Sequence, residues 1–289
     1  PRMVRLGGRA NPADTVDLLL SVNGVPVATA ELKTQTTGQN VNNAMAQYRT
    51  DRNPNDLVFK ARTVVQFAVD QDNVYMTTRL AGTQTVFLPF NQGTGGPGRE
   101  GGKGNPINPH GHRTAYLWER VWQRDAWLDL LGTFVHVEAV RDKTGKKTGK
   151  SVTVFPRFHQ WDAVIALTAA ARDQGPGHNK LVQHSAGSGK SNSIAWLAHR
   201  LSRLHTASDP LSLGELAAAG GLAPNQPVFD KVVIVTDRVV LDRQLQDTVA
   251  SFDHTPGVLA TIGKDQTSKD LREALEGKKA RIIVTTLQK

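Results

Sequence analysis

Past residue 150 the chain alternates stretches of helical spacing with short runs of apolar residues, and no other feature limits its architecture as much. The helical stretches are WDAVIALTAAAR (161–172), SNSIAWLAHRLSRL (191–204) and DLREALEG (270–277). Between them lie KLVQHS (180–185), KVVIVTDR (231–238) and ARIIVTT (280–286). Short strands without polar alternation are buried on both faces, so this grammar predicts a parallel sheet covered by helices.

The first 150 residues are written differently. Residues 15–33 alternate as two strands around Asn23-Gly24, a hairpin signal. NVNNAMAQYR (40–49) predicts a short helix, and 62–90 supplies further strands. The stretch 91–112 is dense in Gly, Pro and Asn and predicts a long loop, functional or mobile rather than packed. Leu117, Val121, Trp122, Trp127, Leu128 and Leu131 recur at helical spacing, with the tryptophans as packing anchors. RDKTGKKTGK (141–150) is basic and has no apolar residue, which sets the expected boundary between domains 1–150 and 151–289. Its Arg141, Lys143, Lys146, Lys147 and Lys150 read as a solvated linker, with a grip on DNA as the alternative.

The hairpin carries chemistry only if its register allows it. Val16, Leu18, Leu20 and Val22 alternate on one strand, and Ala28, Ala30 and Leu32 on the other. A two-residue turn at Asn23-Gly24 would split this apolar set between faces, because a one-residue slip inverts every side chain. A three-residue turn with a bulge and a left-handed Gly24 reunites it, and is the expected geometry. Asp17, Glu31 and Lys33 then share the opposite face. Two carboxylates offer hard oxygen ligands to Mg²⁺, and a nearby lysine can position the attacking water. Glu-x-Lys by itself means little: EGK at 276–278 has the same pattern at a helix end, where it is solvated charge.

HSAGSGKS (184–191) falls between an expected strand and an expected helix. Glycines there let backbone N–H groups wrap phosphate oxygens at the positive end of the helix dipole. Gly187, Ser188 and Gly189 form the cradle, Lys190 reaches the β- and γ-phosphates, and the Ser191 hydroxyl ligates the Mg²⁺ of bound ATP. His184 stands where the simple pattern has glycine.

The balance of 35 Lys+Arg against 26 Asp+Glu leaves a net charge of +9, which favours an anionic partner, nucleic acid first. No apolar run approaches the length of a membrane span and no secretory leader is visible, so a cytoplasmic location is expected and a membrane partner is not. The absence of cysteine rules out disulfides and thiolate metal sites. Pro1 and the abrupt end after an apolar run suggest a piece of a longer protein.

In FPRFHQWDAV (155–164), Gln160 opens a helix ahead of the phosphate loop and resembles the adenine-reading glutamine of superfamily-2 helicases. VVIVTDR (232–238) resembles the next motif of that family. No acidic Asp-Glu motif precedes Lys289, so this stretch is expected to bind nucleotide without turning it over. The chain as a whole resembles the restriction subunit of type I restriction-modification enzymes. The resemblance runs through DLLLSVNGVPVATAELK (17–33), AMAQYR (44–49), VYMTTRLAGTQTVFLPFNQG (74–93), NPHGHRTAYLWERVWQRDAWLDLLGTFVHVE (108–138), QHSAGSGKS (183–191) and the two motor stretches. It implies a restriction-endonuclease-like α/β nuclease of the PD-(D/E)xK type, lacking its beginning, followed by part of a first RecA-like ATPase lobe. It implies Asp17, Glu31 and Lys33 as catalytic residues, with Asp17 and Glu31 holding Mg²⁺, and Gln160 on ATP. Many such nucleases carry Gln and Tyr four apart on the next helix. Here Gln47 and Tyr48 are adjacent and Ala44 stands four before Tyr48, so site support and simple packing both remain open for them. The implied partners are double-stranded DNA and the methyltransferase and specificity subunits. The competing readings are a helicase-nuclease of another defence or repair system and a non-catalytic DNA-binding module.

Overall fold

The computed structural model describes residues 4–5, 15–99, 101–142, 146–237, 245–246, 248–250, 252, 257–262 and 266–287. The chain forms two compact units, Pro1–His159 and Gln160–Lys289. Together they give a mixed α/β protein with parallel and antiparallel sheets.

In the first unit, β1 (Val4–Arg5) pairs with β2 (Thr15–Val16), and a five-stranded sheet follows. It is built from β3 (Leu18–Val22), β4 (Val25–Leu32), β5 (Val65–Val69), β6 (Val74–Thr77) and β7 (Leu88–Pro89), side by side in chain order. Only β4 and β5 run parallel. A parallel pair needs a crossover, and α1 (Val41–Thr50) lies within it. An Asn40–Asn43 capping box starts this helix, and its buried residues Val41, Ala44, Met45 and Tyr48 follow the three-and-four spacing of one face. Val41, Ala44 and Met45 pack with Ala68 of β5 and Tyr75 of β6.

The hairpin corrects the expected turn. Val22 pairs with Val25 across a two-residue turn, and Asn23 (φ 50°) and Gly24 (φ 81°) both take the left-handed conformation that Asn-Gly favours. The register then shifts, so that Ser21 faces Pro26 but Leu20 faces Ala28. Val27 is the extra residue. The bulge expected at the turn therefore sits inside β4, and beyond it the strands run in the register that the apolar pattern requires.

Both faces of the sheet are covered, which changes the meaning of the alternation. Ala28 and Ala30 share a face with Phe67, whose ring meets Phe90, Trp122, Trp127 and Phe155 at centroid distances of 5.6–6.4 Å. Thr29 and Glu31 face the α1 side and are buried as well. Leu32, expected in the core, is 45% exposed. Val16, expected beside Leu18, packs instead with Leu19 and Tyr48, because the chain bends at Asp17 between β2 and β3.

The expected helix at 117–131 is broken into π-helical turns at Leu117–Val121 and Leu130–Phe134 around α2 (Arg124–Asp129). Trp127 and Leu130 are buried, whereas Trp118 and Leu128 point outward. The described residues of the Gly-rich stretch are tied to one another and to the sheet. Gly93 N–H donates to Gly104 O at 2.8 Å, and the buried Asn105 amide donates to Asp72 O and Asn91 Oδ1. The stretch expected as a basic linker is a ribbon: β8 (His136–Arg141) pairs antiparallel with β9 (Lys147–Val154). Lys146, Lys147 and Lys150 are exposed on it, and Lys143 lies outside the described residues.

In the second unit, β10 (Val232–Thr236), β12 (Ile282–Thr286) and β11 (Leu259–Thr261) form a parallel sheet with β12 in the middle. Its core includes Ile234, Ile282 and Val284 packed with Ala195 and Ala198. The helices expected from periodicity are present: α3 spans Phe158–Gln174, α4 Lys190–Leu201, and another helix Ser268–Glu276. KLVQHS is corrected. Residues 180–185 form no strand, and Leu181 is 91% exposed. A strand of a buried parallel sheet needs strand neighbours to pair its backbone, and among the described residues no strand pairs with this run. Arg238, the last residue of VVIVTDR, lies outside the described residues.

Candidate functional site

The bulge at Val27 sets the geometry of the carboxylates. The ladder ends at the Leu18–Ala30 pair, and at the bend that follows, the Asp17 carboxylate lies close enough to Glu31 to act on its charge. Asp17 Oδ2 accepts a hydrogen bond from the Leu32 N–H at 2.8 Å, which ties the bend at Asp17 to the end of β4. The two-residue period puts Lys33 on the same face as Glu31, just beyond the strand; its own N–H donates to Val69 O at 2.8 Å. Asp17 and Lys33 are half-buried.

Glu31 is not a solvated charge, the reading that Glu-x-Lys taken alone would carry. Its side chain is fully buried and meets Arg52, which is 2% exposed, with Nε and Nη2 each 2.7 Å from Oε1. Oε2 is buried without a hydrogen-bond partner. Burial drives the Glu31 pKa up to about 7, against the lowering pull of Arg52, and the Asp17 carboxylate adds to the rise. A buried carboxyl whose ionisation is opposed by burial and by the Asp17 carboxylate, with one oxygen that receives no hydrogen bond, makes a place for a cation or a proton.

Tyr48 sits one helical turn before Arg52, and its hydroxyl bonds the Thr29 hydroxyl at 2.8 Å, on the residue two before Glu31. Burial and the Glu31 charge keep its phenol protonated. Gln47 is only partly buried, because neighbouring helix residues point about 100° apart. The position facing the sheet one turn before Tyr48 is Ala44, fully buried. Arg52 was not singled out by the sequence. A lone arginine after a helix end reads as surface charge, and its partner lies 21 residues away.

The second constellation surrounds the phosphate loop. Gly187 and Gly189 adopt φ of 73° and 80°, the left-handed region that glycine tolerates, and Gly189 is the residue before α4. Lys190 Nζ donates to His184 O at 3.2 Å and to Ser185 O at 2.9 Å, so the side chain folds back over its own loop. Gln160, buried in the first turn of α3, donates from Nε2 to Gly189 O at 2.8 Å. A Cβ on Gly189 would stand 2.5 Å from that nitrogen. Ser188 is buried and Ser191 half-buried at the start of α4. Burial, then the Lys190 charge, lowers the His184 pKa and keeps its ring neutral.

Residues 4–85 match the family profile of the type I restriction enzyme R protein N terminus, and residues 159–289 match that of the SWI2/SNF2 ATPases. The two matches together support a fragment of a type I restriction enzyme R protein. No match was found among curated proteins.

In this R protein, Asp17, Glu31, Lys33, Tyr48 and Arg52 fall within the span matching the R-protein N terminus, and Gln160 and the phosphate loop within the ATPase match. The two matches support restriction and ATPase roles in general, with DNA and a multi-subunit complex as partners in general. Among the described residues, no helix is long and apolar enough to cross a membrane, and no three His, Cys, Asp or Glu side chains gather into a metal-ligand cluster.

Proposed function

We propose that the first unit is a Mg²⁺-dependent DNA endonuclease domain of the PD-(D/E)xK type, with Asp17 and Glu31 as metal ligands and Lys33 positioning the attacking water. We propose that the second unit is part of a RecA-like superfamily-2 lobe that binds Mg-ATP through Gln160, Gly187, Ser188, Gly189, Lys190 and Ser191 and contributes to DNA translocation. The observation that carries the nuclease reading is the Asp17 carboxylate, held by the Leu32 N–H at the end of β4 beside Glu31, whose buried Oε2 receives no hydrogen bond.

The residues fit a divalent cation. Mg²⁺ needs only one or two carboxylates when water and substrate phosphate supply the remaining oxygens, so the absence of a larger cluster is no obstacle. The cation would supply charge to the scissile phosphate and lower the pKa of its water. The chain's own part is to hold Asp17 by the Leu32 N–H, Glu31 by Arg52, and Lys33 on the same face. In the second unit, the two left-handed glycines shape the loop and Gln160 braces it; Lys190 exchanges two carbonyls for phosphate oxygens when nucleotide enters. The methyltransferase and specificity subunits complete the complex and supply target recognition.

The Glu31–Arg52 pair favours one competing reading, in which Glu31 serves folding alone and the unit binds DNA without cutting it. Cleavage of circular DNA by the complete R protein with its partner subunits separates the two. Glu31→Ala is expected to abolish cutting while sparing ATP turnover, and Lys190→Ala to abolish both. Undiminished cutting by folded Glu31→Ala sinks the nuclease assignment.

A further inference from the structure

We propose that Arg52 is a positioning residue of the carboxylate site: it holds Glu31 by one oxygen and so fixes which oxygen faces a divalent cation. The proposal rests on the nuclease reading above. An arginine that only neutralises a buried carboxylate does best as a fork on both oxygens. Here Nε and Nη2 both converge on Oε1, and Oε2 is buried and receives no hydrogen bond, with the Asp17 carboxylate within hydrogen-bonding reach of Glu31. An orphaned carboxylate oxygen is a cost that a purely structural ion pair would avoid. It is intelligible when that oxygen is reserved for a ligand on the Asp17 side.

The position of Arg52 is itself fixed. The Tyr48 hydroxyl binds Thr29, and four residues later Arg52 binds Glu31, two residues further along β4. Arg52 lies just past Asp51, the C-cap of α1, and Thr29 and Glu31 point to the same side of β4 two residues apart. The two contacts therefore tie the last turn of α1 and the residue after its cap to one strand. The start of α1 is pinned too, because Val41 N–H donates to Asp70 Oδ2 at 2.8 Å and Asp70 follows β5 directly. α1 ends before Arg52, with the Asp51 N–H donating to Gln47 O at 2.9 Å, and beyond it Asn53 Oδ1 accepts the Asn55 N–H at 3.0 Å. The guanidinium is therefore delivered just past the end of a helix anchored at its beginning and one turn before the arginine.

The test uses the complete R protein, with Mn²⁺ alone as probe and no nucleotide, in wild type, Arg52→Lys, Arg52→Met and Glu31→Ala. Free Mn²⁺ is read by electron paramagnetic resonance, the Mg²⁺ dependence of circular-DNA cleavage is measured with the partner subunits, and ATP turnover and circular dichroism report folding. Losing a group that orients a ligand typically costs about 10- to 100-fold in metal affinity. Arg52→Met is expected to weaken Mn²⁺ binding by about tenfold or more, with cleavage partly restored by excess Mg²⁺ and ATP turnover unchanged. Arg52→Lys keeps the charge but offers one nitrogen, and is expected to fall between. Mn²⁺ affinity and Mg²⁺ dependence within about twofold of wild type in both folded variants would overturn the proposal; if Arg52→Met does not fold, Arg52→Lys decides alone. Cutting that survives Glu31→Ala defeats the underlying nuclease reading instead, whereas a dead Glu31→Ala beside unaffected Arg52 variants defeats only the role of Arg52.

Discussion

The carboxylate site and the phosphate loop solve opposite problems. Glu31 is closed off from water before any ligand arrives, so the fold must compensate a charge in advance, and Arg52 does so. Lys190 is exposed, and its ammonium is satisfied by two carbonyls of its own loop that it can leave at little cost. A buried site thus depends on distant residues brought together by packing, whereas an exposed loop carries nearly everything it needs within eight residues. Disturbing the first should therefore register in stability, and disturbing the second in ligand affinity.

The largest expected effect concerns Glu31 and pH. Its folded pKa of about 7 lies above the ordinary value of 4.5, so the folded state binds this proton more tightly than the unfolded state. The associated stability is complete below pH 4.5 and is lost as pH rises through about 7. Metal-free wild type should lose about 3 kcal/mol over that window relative to Glu31→Gln, whose amide does not titrate; the figure is about 1.4 kcal/mol per pKa unit. Urea unfolding at several pH values measures the gap, and parallel curves would deny that burial governs Glu31. Glu31→Gln also strands Arg52, so the slope with pH, not the absolute stability, is the test.

Gly189→Ala comes next. At φ 80°, with a Cβ that would stand 2.5 Å from Gln160 Nε2, the substitution must displace either the loop or the glutamine. ATP affinity is expected to fall about tenfold or more, about 1.4 kcal/mol, with the Glu31 site untouched; fluorescent-nucleotide binding checks it. Tyr48→Phe removes the hydroxyl partner of Thr29 and should cost about 1 kcal/mol, the worth of one such hydrogen bond. Thermal unfolding reads that loss, and an equal loss in a Thr29→Val background would show that the two hydroxyls do not act as a pair. The smallest effect is at Lys150, exposed on the β8–β9 ribbon. Lys150→Ala should leave stability within about 0.5 kcal/mol, while a salt-dependent loss of DNA binding would assign the ribbon to DNA contact.

Much of the second unit was legible because its signals are local. Helical spacing gave α3 and α4, and the glycines of 187–189 announced the loop. KLVQHS failed for a physical reason: apolar residues favour a strand only where neighbours satisfy their backbone, and none pairs with residues 180–185 among those described. The basic run at 141–150 misled in the other direction. Its lack of apolar residues suggested a linker, but a two-stranded ribbon needs backbone pairing and no core.

The hairpin draws the line between sequence and fold most clearly. Alternation along 18–30 was enough to require an even register, because the side-chain period of a strand is two, but the bend at Asp17, which puts Val16 beside Leu19, was not legible in it. How that register is reached, by an Asn-Gly turn of two residues and a bulge at Val27, depended on pairing along the whole strand. What covers the face was beyond the sequence altogether. Polar residues at alternate positions look the same whether water or a helix lies over them, and only the packing of α1 on the sheet turned Glu31 from a surface charge into a buried carboxylate with Arg52 as its counterion.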